Sequence, residues 1–219
     1  MEKNCKYILW DLDGTLTDPM IGITTCVQYA LRHLGIEVKD LQELCPFIGP
    51  PLLDSFQEFY CLSEAQAQEA ILKYRERFAT VGWLENEVYP GIPELLDKLR
   101  KSGVQVAIVS NKPDPTTKAL AEKFFPGVPA FGQRDDLPPK PAPDLVLCAL
   151  KELGCPRESA IYVGDSEVDI QTARNCRMNY IGVSWGFRGR EKLLAVAPRA
   201  IVVDRAEEIL QGKNLQFVH

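Results

Sequence analysis

The sequence predicts an α/β protein: a parallel β-sheet core with a helical domain inserted after its first strand. Two observations carry this. Short, β-rich apolar runs alternate with longer helical patterns along the 219 residues, as strand and helix units do when they build a parallel sheet. Between the first run and the helix expected at residue 93, about 75 residues show helical periodicity and no convincing strand.

The runs at residues 7–12, 104–110, 160–163, 180–184 and 200–203 are too short and too continuously apolar for exposed amphipathic helices, and read as buried strands. After the first of them, helical patterns cover 20–34, 52–60 and 63–81. The segment WLENEVYPGIP then breaks the last pattern with turn residues. The expected division is therefore a discontinuous core of residues 1–16 and 83–219 around an inserted helical domain of residues 17–82. Two later helices, 93–102 and 143–153, each open on a proline and stop at a glycine, Gly103 and Gly154. Another begins near Pro115.

Hydrophobic residues make up 46% and charged residues 25%, ordinary for a globular chain. A net charge of −5 with no concentrated basic run argues against nucleic acid as a partner. No stretch of 18 apolar residues suggests a membrane span, and the amino terminus lacks a long apolar segment; a cytoplasmic location is expected, as a monomer or homodimer. Seven scattered cysteines without a C-x-x-C pair speak against zinc and for small buried hydrophobes in a reducing compartment.

The chemistry lies at the ends of the strands. The first runs into Asp11-Leu12-Asp13-Gly14-Thr15, so carboxylates fall where open α/β sheets place their ligands. If the strand persists, Asp11 and Asp13 share a face. By itself this is also a common Asp-Gly turn. A second acidic group, Gly164-Asp165-Ser166-Glu167-Val168-Asp169, follows the strand at 160–163. Clustered carboxylates repel unless a cation sits among them, and oxygen-only ligands favour a hard ion such as Mg²⁺. The strand at 104–110 ends in Ser110-Asn111-Lys112-Pro113, supplying a hydroxyl, an amide and an ammonium; Ser110 or Asn111 could equally cap the next helix. Lys140 is hemmed by prolines in PPKPAP, which restrict its backbone.

In this order the four segments DLDGT, VSN, KPAP and GDSEVD resemble the four motifs of the haloacid dehalogenase superfamily. The resemblance implies a Rossmann-like core with an inserted helical cap of the C1 type. It makes Asp11 the nucleophile and Asp13 the general acid and base, with Ser110 and Lys140 holding the phosphoryl group. Asp165 would ligate Mg²⁺ beside Asp11 and the Asp13 carbonyl, supported by Asp169. Candidate substrate-binding residues are Thr17, Gly49 in the Gly49-Pro50-Pro51 loop, Arg75 and Asn111. The phrases FIGPPL and KPAPDL look closest to the branch of phosphoglycolate phosphatases with 5′-nucleotidase-like and pyrophosphatase-like members. Trp10 stands where the family usually has Phe. The implied activity is Mg²⁺-dependent hydrolysis of a small phosphorylated metabolite, phosphoglycolate-like or nucleoside-monophosphate-like, through an aspartyl phosphate. A phosphomutase of the same superfamily is the alternative, and a catalytically idle regulatory domain a more distant one.

Overall fold

The computed structural model of the protein describes residues 5–211. The chain divides into two compact units: one takes in the chain up to Thr17 and from Val88 onward, the other is Asp18–Glu87. Two short strands, β2 (Thr17–Asp18) and β3 (Glu87–Val88), carry the chain across the division and pair with each other.

The first unit holds a six-stranded sheet in the order β5-β4-β1-β6-β7-β8. Its strands are β1 (Tyr7–Trp10), β4 (Gln105–Pro113), β5 (Ala130–Gln133), β6 (Ala160–Gly164), β7 (Asn179–Val183) and β8 (Ile201–Val203). Every neighbouring pair is parallel. Renumbered within the sheet this is the doubly wound order 3-2-1-4-5-6, with its topological switch point between β1 and β6. In β1, Ile8, Leu9 and Trp10 have no exposed surface, because a central parallel strand is covered on both faces. Trp10 fills its position at a cost. Its indole N–H has no hydrogen-bond partner among the described residues, a penalty of about 1–3 kcal/mol set against the ring's burial.

Helices flank the sheet. α4 (Ile92–Lys101) buries Ile92, Leu95, Leu96 and Leu99, the i, i+3, i+4, i+7 stripe of a helix with one packed side. α6 (Asp144–Glu152) and α7 (Glu167–Cys176) bring Leu145, Val146, Ala149, Leu150, Ala173 and Cys176 into one cluster with Leu9, Val109 and Tyr162. α5 (Asp114–Phe124) and α8 (Gly189–Val196) complete the set.

Strand β5 and helices α7 and α8 stand outside the elements read from the sequence. β5 is a four-residue edge strand, AFGQ, too short for a periodic signal. α7 begins inside the acidic segment and is held by a capping box between Ser166 and Asp169, which reads in sequence as a ligand cluster rather than a helix start. The reverse happens at β4, which runs on to Pro113, so α5 is preceded by Pro113 with no side-chain cap. Neither Ser110 nor Asn111 caps that helix.

The second unit is helical: α1 (Met20–His33), a 3₁₀ segment at Leu41–Phe47, α2 (Leu52–Tyr60), and α3 (Glu64–Arg77) running into a π-helical turn at Phe78–Gly82. Ser63 and Gln66 form a capping box at the start of α3. Arg77 donates to both Glu85 carboxylate oxygens, at 2.7 and 2.8 Å. That bidentate pair ties residues 83–87 to this unit, although the sequence reading assigns them to the core. Among the cysteines, Cys5, Cys26, Cys155 and Cys176 are buried as expected, but Cys61 is exposed and Cys45 and Cys148 are half-buried; all seven are free thiols. None of the described helices is long and apolar enough to cross a membrane.

Candidate active site

Strands β1, β4 and β6 are adjacent and parallel, so their carboxyl ends deliver side chains to one place beside the switch point. Asp11 follows β1, and its amide still donates to the Val163 carbonyl at 2.9 Å. There the strand stops. The Leu12 carbonyl accepts from the amides of Thr15, Leu16 and Thr17 at 3.2, 2.9 and 2.9 Å. Gly14 takes φ +85°, a conformation costly for a residue with a Cβ. Asp13 is therefore carried by a turn, and not by the extended strand that the alternation argument assumed. The two carboxylates diverge: Asp11 Oδ1 accepts from Lys140 Nζ at 2.8 Å, while Asp13 Oδ2 accepts from Lys112 Nζ.

Lys140 is 5% exposed, and all three ammonium hydrogens have acceptors. They are Asp11 Oδ1, Asp169 Oδ1 at 2.9 Å and the Tyr162 hydroxyl at 2.9 Å. Tyr162 passes its own hydrogen to the Val109 carbonyl at 3.0 Å. Asn111 holds the Lys140 backbone from both sides: its Nδ2 donates to the Lys140 carbonyl at 2.9 Å and its Oδ1 accepts from the Lys140 amide at 2.7 Å. Ser110 accepts from the Lys112 amide at 3.2 Å, so its own hydroxyl hydrogen remains available to an anion.

Asp165 and Asp169 come from the end of β6 and the first turn of α7. Asp169 Oδ2 accepts from the Ser166 hydroxyl at 2.6 Å and amide at 3.2 Å, which turns its other oxygen to Lys140. Asp165 Oδ2 accepts from the Phe187 amide at 2.8 Å. A Cβ on Gly186 would strike both Asp165 and the Gly14 carbonyl, and one on Gly164 would strike Asp169, so glycine is required where backbone presses on these carboxylates.

Oxygen atoms of Asp11, Asp165 and Asp169 all lie within 4.8 Å of one another, and the three side chains are buried. Burial pushes the Asp11 carboxyl up to about 7, with Lys140 opposing the rise. Asp165 is raised well above the usual range by burial first, then by the charges of Asp169 and Asp11. Three buried carboxylates face one ammonium, so this centre is short of positive charge. A small hard cation is the complement that its all-oxygen donor set suits.

Thr17 and Asn111, expected to touch substrate, make hydrogen bonds within the protein. Thr17 is fully buried, and its hydroxyl donates to the Leu12 carbonyl at 3.4 Å. Asn111 serves the Lys140 loop. Gly49, at φ +105°, and Arg75, exposed on α3, belong to the second unit. The sequence reading passed over Tyr162, which looked like one more apolar strand residue, and the segment Trp185-Gly186-Phe187. In that segment the Trp185 indole N–H donates to the Thr15 carbonyl at 3.0 Å. Its signal was available: glycines around an aromatic directly after a core strand, where α/β sheets place ligands.

Residues 8–183 match the family described as haloacid dehalogenase-like hydrolase. A 5′-nucleotidase from Pseudomonas aeruginosa is 39% identical over 204 residues, 91% of this chain and 91% of that one. The pyrophosphatase PpaX of Bacillus velezensis is 34% identical over 203 residues, 90% of this chain and 91% of its own. Among solved structures, one described as a predicted phosphatase from Clostridium acetobutylicum superposes with a TM-score of 0.84 at 36% identity, covering 94% of this chain and 96% of that one.

Proposed function

Because the chain belongs to the haloacid dehalogenase-like hydrolase family and, as its nucleotidase and phosphatase relatives support, is a phosphoric monoester hydrolase, we propose that it hydrolyses a small phosphorylated metabolite through a phosphorylated Asp11 with Mg²⁺ as cofactor. The observation that supports this most is the buried group of Asp11, Asp165 and Asp169 set against Lys140. Those three carboxylates, with the Asp13 carbonyl expected from the family resemblance, would hold the metal. When bound, Mg²⁺ supplies positive charge that lets two anions, the Asp11 carboxylate and the phosphate, approach.

The chain's own residues do the rest. Lys140 fixes Asp11 by one oxygen and leaves the other for attack on phosphorus. The Ser110 hydroxyl donates to a phosphoryl oxygen, where charge accumulates as the bond to the leaving group breaks. Asp13 protonates the departing oxygen, then takes a proton from the water that hydrolyses the aspartyl phosphate. Arg75 and the Gly49-Pro50-Pro51 loop are assigned to recognition of the leaving group. Substitution of Arg75 by alanine should therefore reorder a panel of metabolite substrates by about tenfold or more, an interaction energy of about 1.4 kcal/mol. The rate with 4-nitrophenyl phosphate should move far less. Equal losses with every substrate would remove Arg75 from recognition.

The metal has a readout independent of turnover. Asp11 and Asp165 hold protons more tightly folded than unfolded, so protonation favours the metal-free folded state. The Asp11 contribution is greatest below the ordinary carboxylate value of 3.8 and is lost as pH rises through about 7, and the raised Asp165 carboxyl acts in the same direction. A divalent cation competes with those protons. Mg²⁺ should thus raise the denaturation midpoint more at pH 8 than at pH 5. Asp165→Asn should remain folded and lose most of that increment, and EDTA should abolish phosphatase activity. Full activity after exhaustive chelation, or a Mg²⁺ increment independent of pH, would defeat the assignment.

A further inference from the structure

Two buried lysines serve this centre, and the roles above use only one. Lys112 is 9% exposed. It stands two residues beyond Ser110 on β4, and its ammonium is bonded to Oδ2 of Asp13. The same main chain aims both groups, since the Lys112 amide donates to the Ser110 hydroxyl oxygen at 3.2 Å and the Lys112 carbonyl accepts from Thr117 at 2.9 Å. The other Asp13 oxygen, Oδ1, is buried and has no hydrogen-bond partner among the described residues. A buried acceptor without a protein partner calls for a water, an ion or a ligand group to complete it.

These facts divide the positive charge by position. Lys140 is bonded to the nucleophile and belongs to the phosphoryl side. Lys112 is bonded to the residue assigned to the leaving oxygen and belongs to the other side. If Oδ1 is the oxygen that exchanges a proton with the leaving group, then Lys112 Nζ lies across the width of one carboxylate from it. The departing oxygen is then within about 7 Å of the ammonium, two hydrogen-bond lengths plus that width. A leaving group with its own anionic substituent a few bonds from the bridging oxygen can reach that distance, and beside a lysine as buried as Lys112 the attraction is stronger than at a fully exposed surface. A ribose or simple alcohol offers Lys112 nothing comparable.

Resting on the phosphatase reading, we propose that Lys112 is a specificity-determining residue, and that this site selects phosphate monoesters or anhydrides whose leaving group carries a second negative charge close to the bridging oxygen. Of the two substrate classes implied by the sequence, this favours the phosphoglycolate-like over the nucleoside-monophosphate-like one. Pyrophosphate satisfies the same condition.

The discriminating pair is 2-phosphoglycolate and ethyl phosphate, which differ by a carboxylate in place of a methyl group. Wild-type kcat/KM should favour phosphoglycolate at least tenfold. Lys112→Met, unbranched, uncharged and one atom shorter, should lower phosphoglycolate turnover at least tenfold more than ethyl phosphate turnover. Lys112→Arg should keep most of the preference. Equal loss on both substrates would mean that Lys112 only braces Asp13, and would overturn the proposal. So would a wild-type enzyme without preference, which needs no variant to fold. In either case continued hydrolysis of 4-nitrophenyl phosphate would leave the phosphatase reading standing; its absence, with Mg²⁺ present, would remove that reading first.

Discussion

Asp13→Asn is expected to trap the enzyme as its phosphorylated form. With 4-nitrophenyl phosphate the leaving group is stable as an anion, so its departure needs little help from an acid. The second step has no such relief, because water must lose a proton as it attacks the aspartyl phosphate. Loss of general acid–base catalysis costs about 10²–10⁴-fold, and here it should fall almost wholly on hydrolysis. The variant should release a burst of nitrophenol approaching one per enzyme, followed by a slow phase. Asp11→Asn should give no burst at all. The Asp13 substitution also exchanges the carboxylate paired with Lys112 for a neutral amide, so the burst is read only on protein shown by circular dichroism to be folded. Steady turnover near the wild-type rate, or a folded variant that binds Mg²⁺ and shows no burst, would withdraw Asp13 from this role.

Lys140→Met should be costly twice over. The substitution removes the ammonium that Asp11, Asp169 and Tyr162 share at 2.8, 2.9 and 2.9 Å. Breaking a buried ion pair by deleting one partner costs about 3–5 kcal/mol, since the other charge stays buried and uncompensated. The loss should show as a lower denaturation midpoint without metal at pH 8, where Asp11 is ionised, and should shrink at pH 5, where a proton on Asp11 replaces the missing charge. With Mg²⁺ bound, enough folded enzyme should remain for kinetics, and kcat/KM should fall by about 10²–10³-fold or more, as when one donor to a developing oxyanion is removed. A stability change under about 1 kcal/mol together with kcat/KM within tenfold of wild type would show that Lys140 is not the hub of this centre.

The sheet, and the proposed reacting groups along it, are legible in the sequence alone. Asp11 and Asp165 are legible because each stands just beyond a strand end, Lys140 because prolines hem its loop, and Ser110 because it closes the apolar run of β4, which itself runs on to Pro113; the runs before Asp11, Ser110 and Asp165 are too continuous for exposed amphipathic helices. Local pattern suffices there, since burial on both faces of a parallel sheet writes itself into consecutive residues. How those groups pair is set by the tertiary fold. Asp13 is two residues from Asp11 yet bonds to Lys112, and Lys140 meets Asp169 and Tyr162, because hydrogen bonds across 99, 29 and 22 residues depend on strand order and on where a turn redirects the chain. Thr17 and Asn111, expected at the substrate, bond to the Leu12 carbonyl and the Lys140 backbone, because a hydroxyl or amide near an active centre can serve the backbone as readily as a ligand.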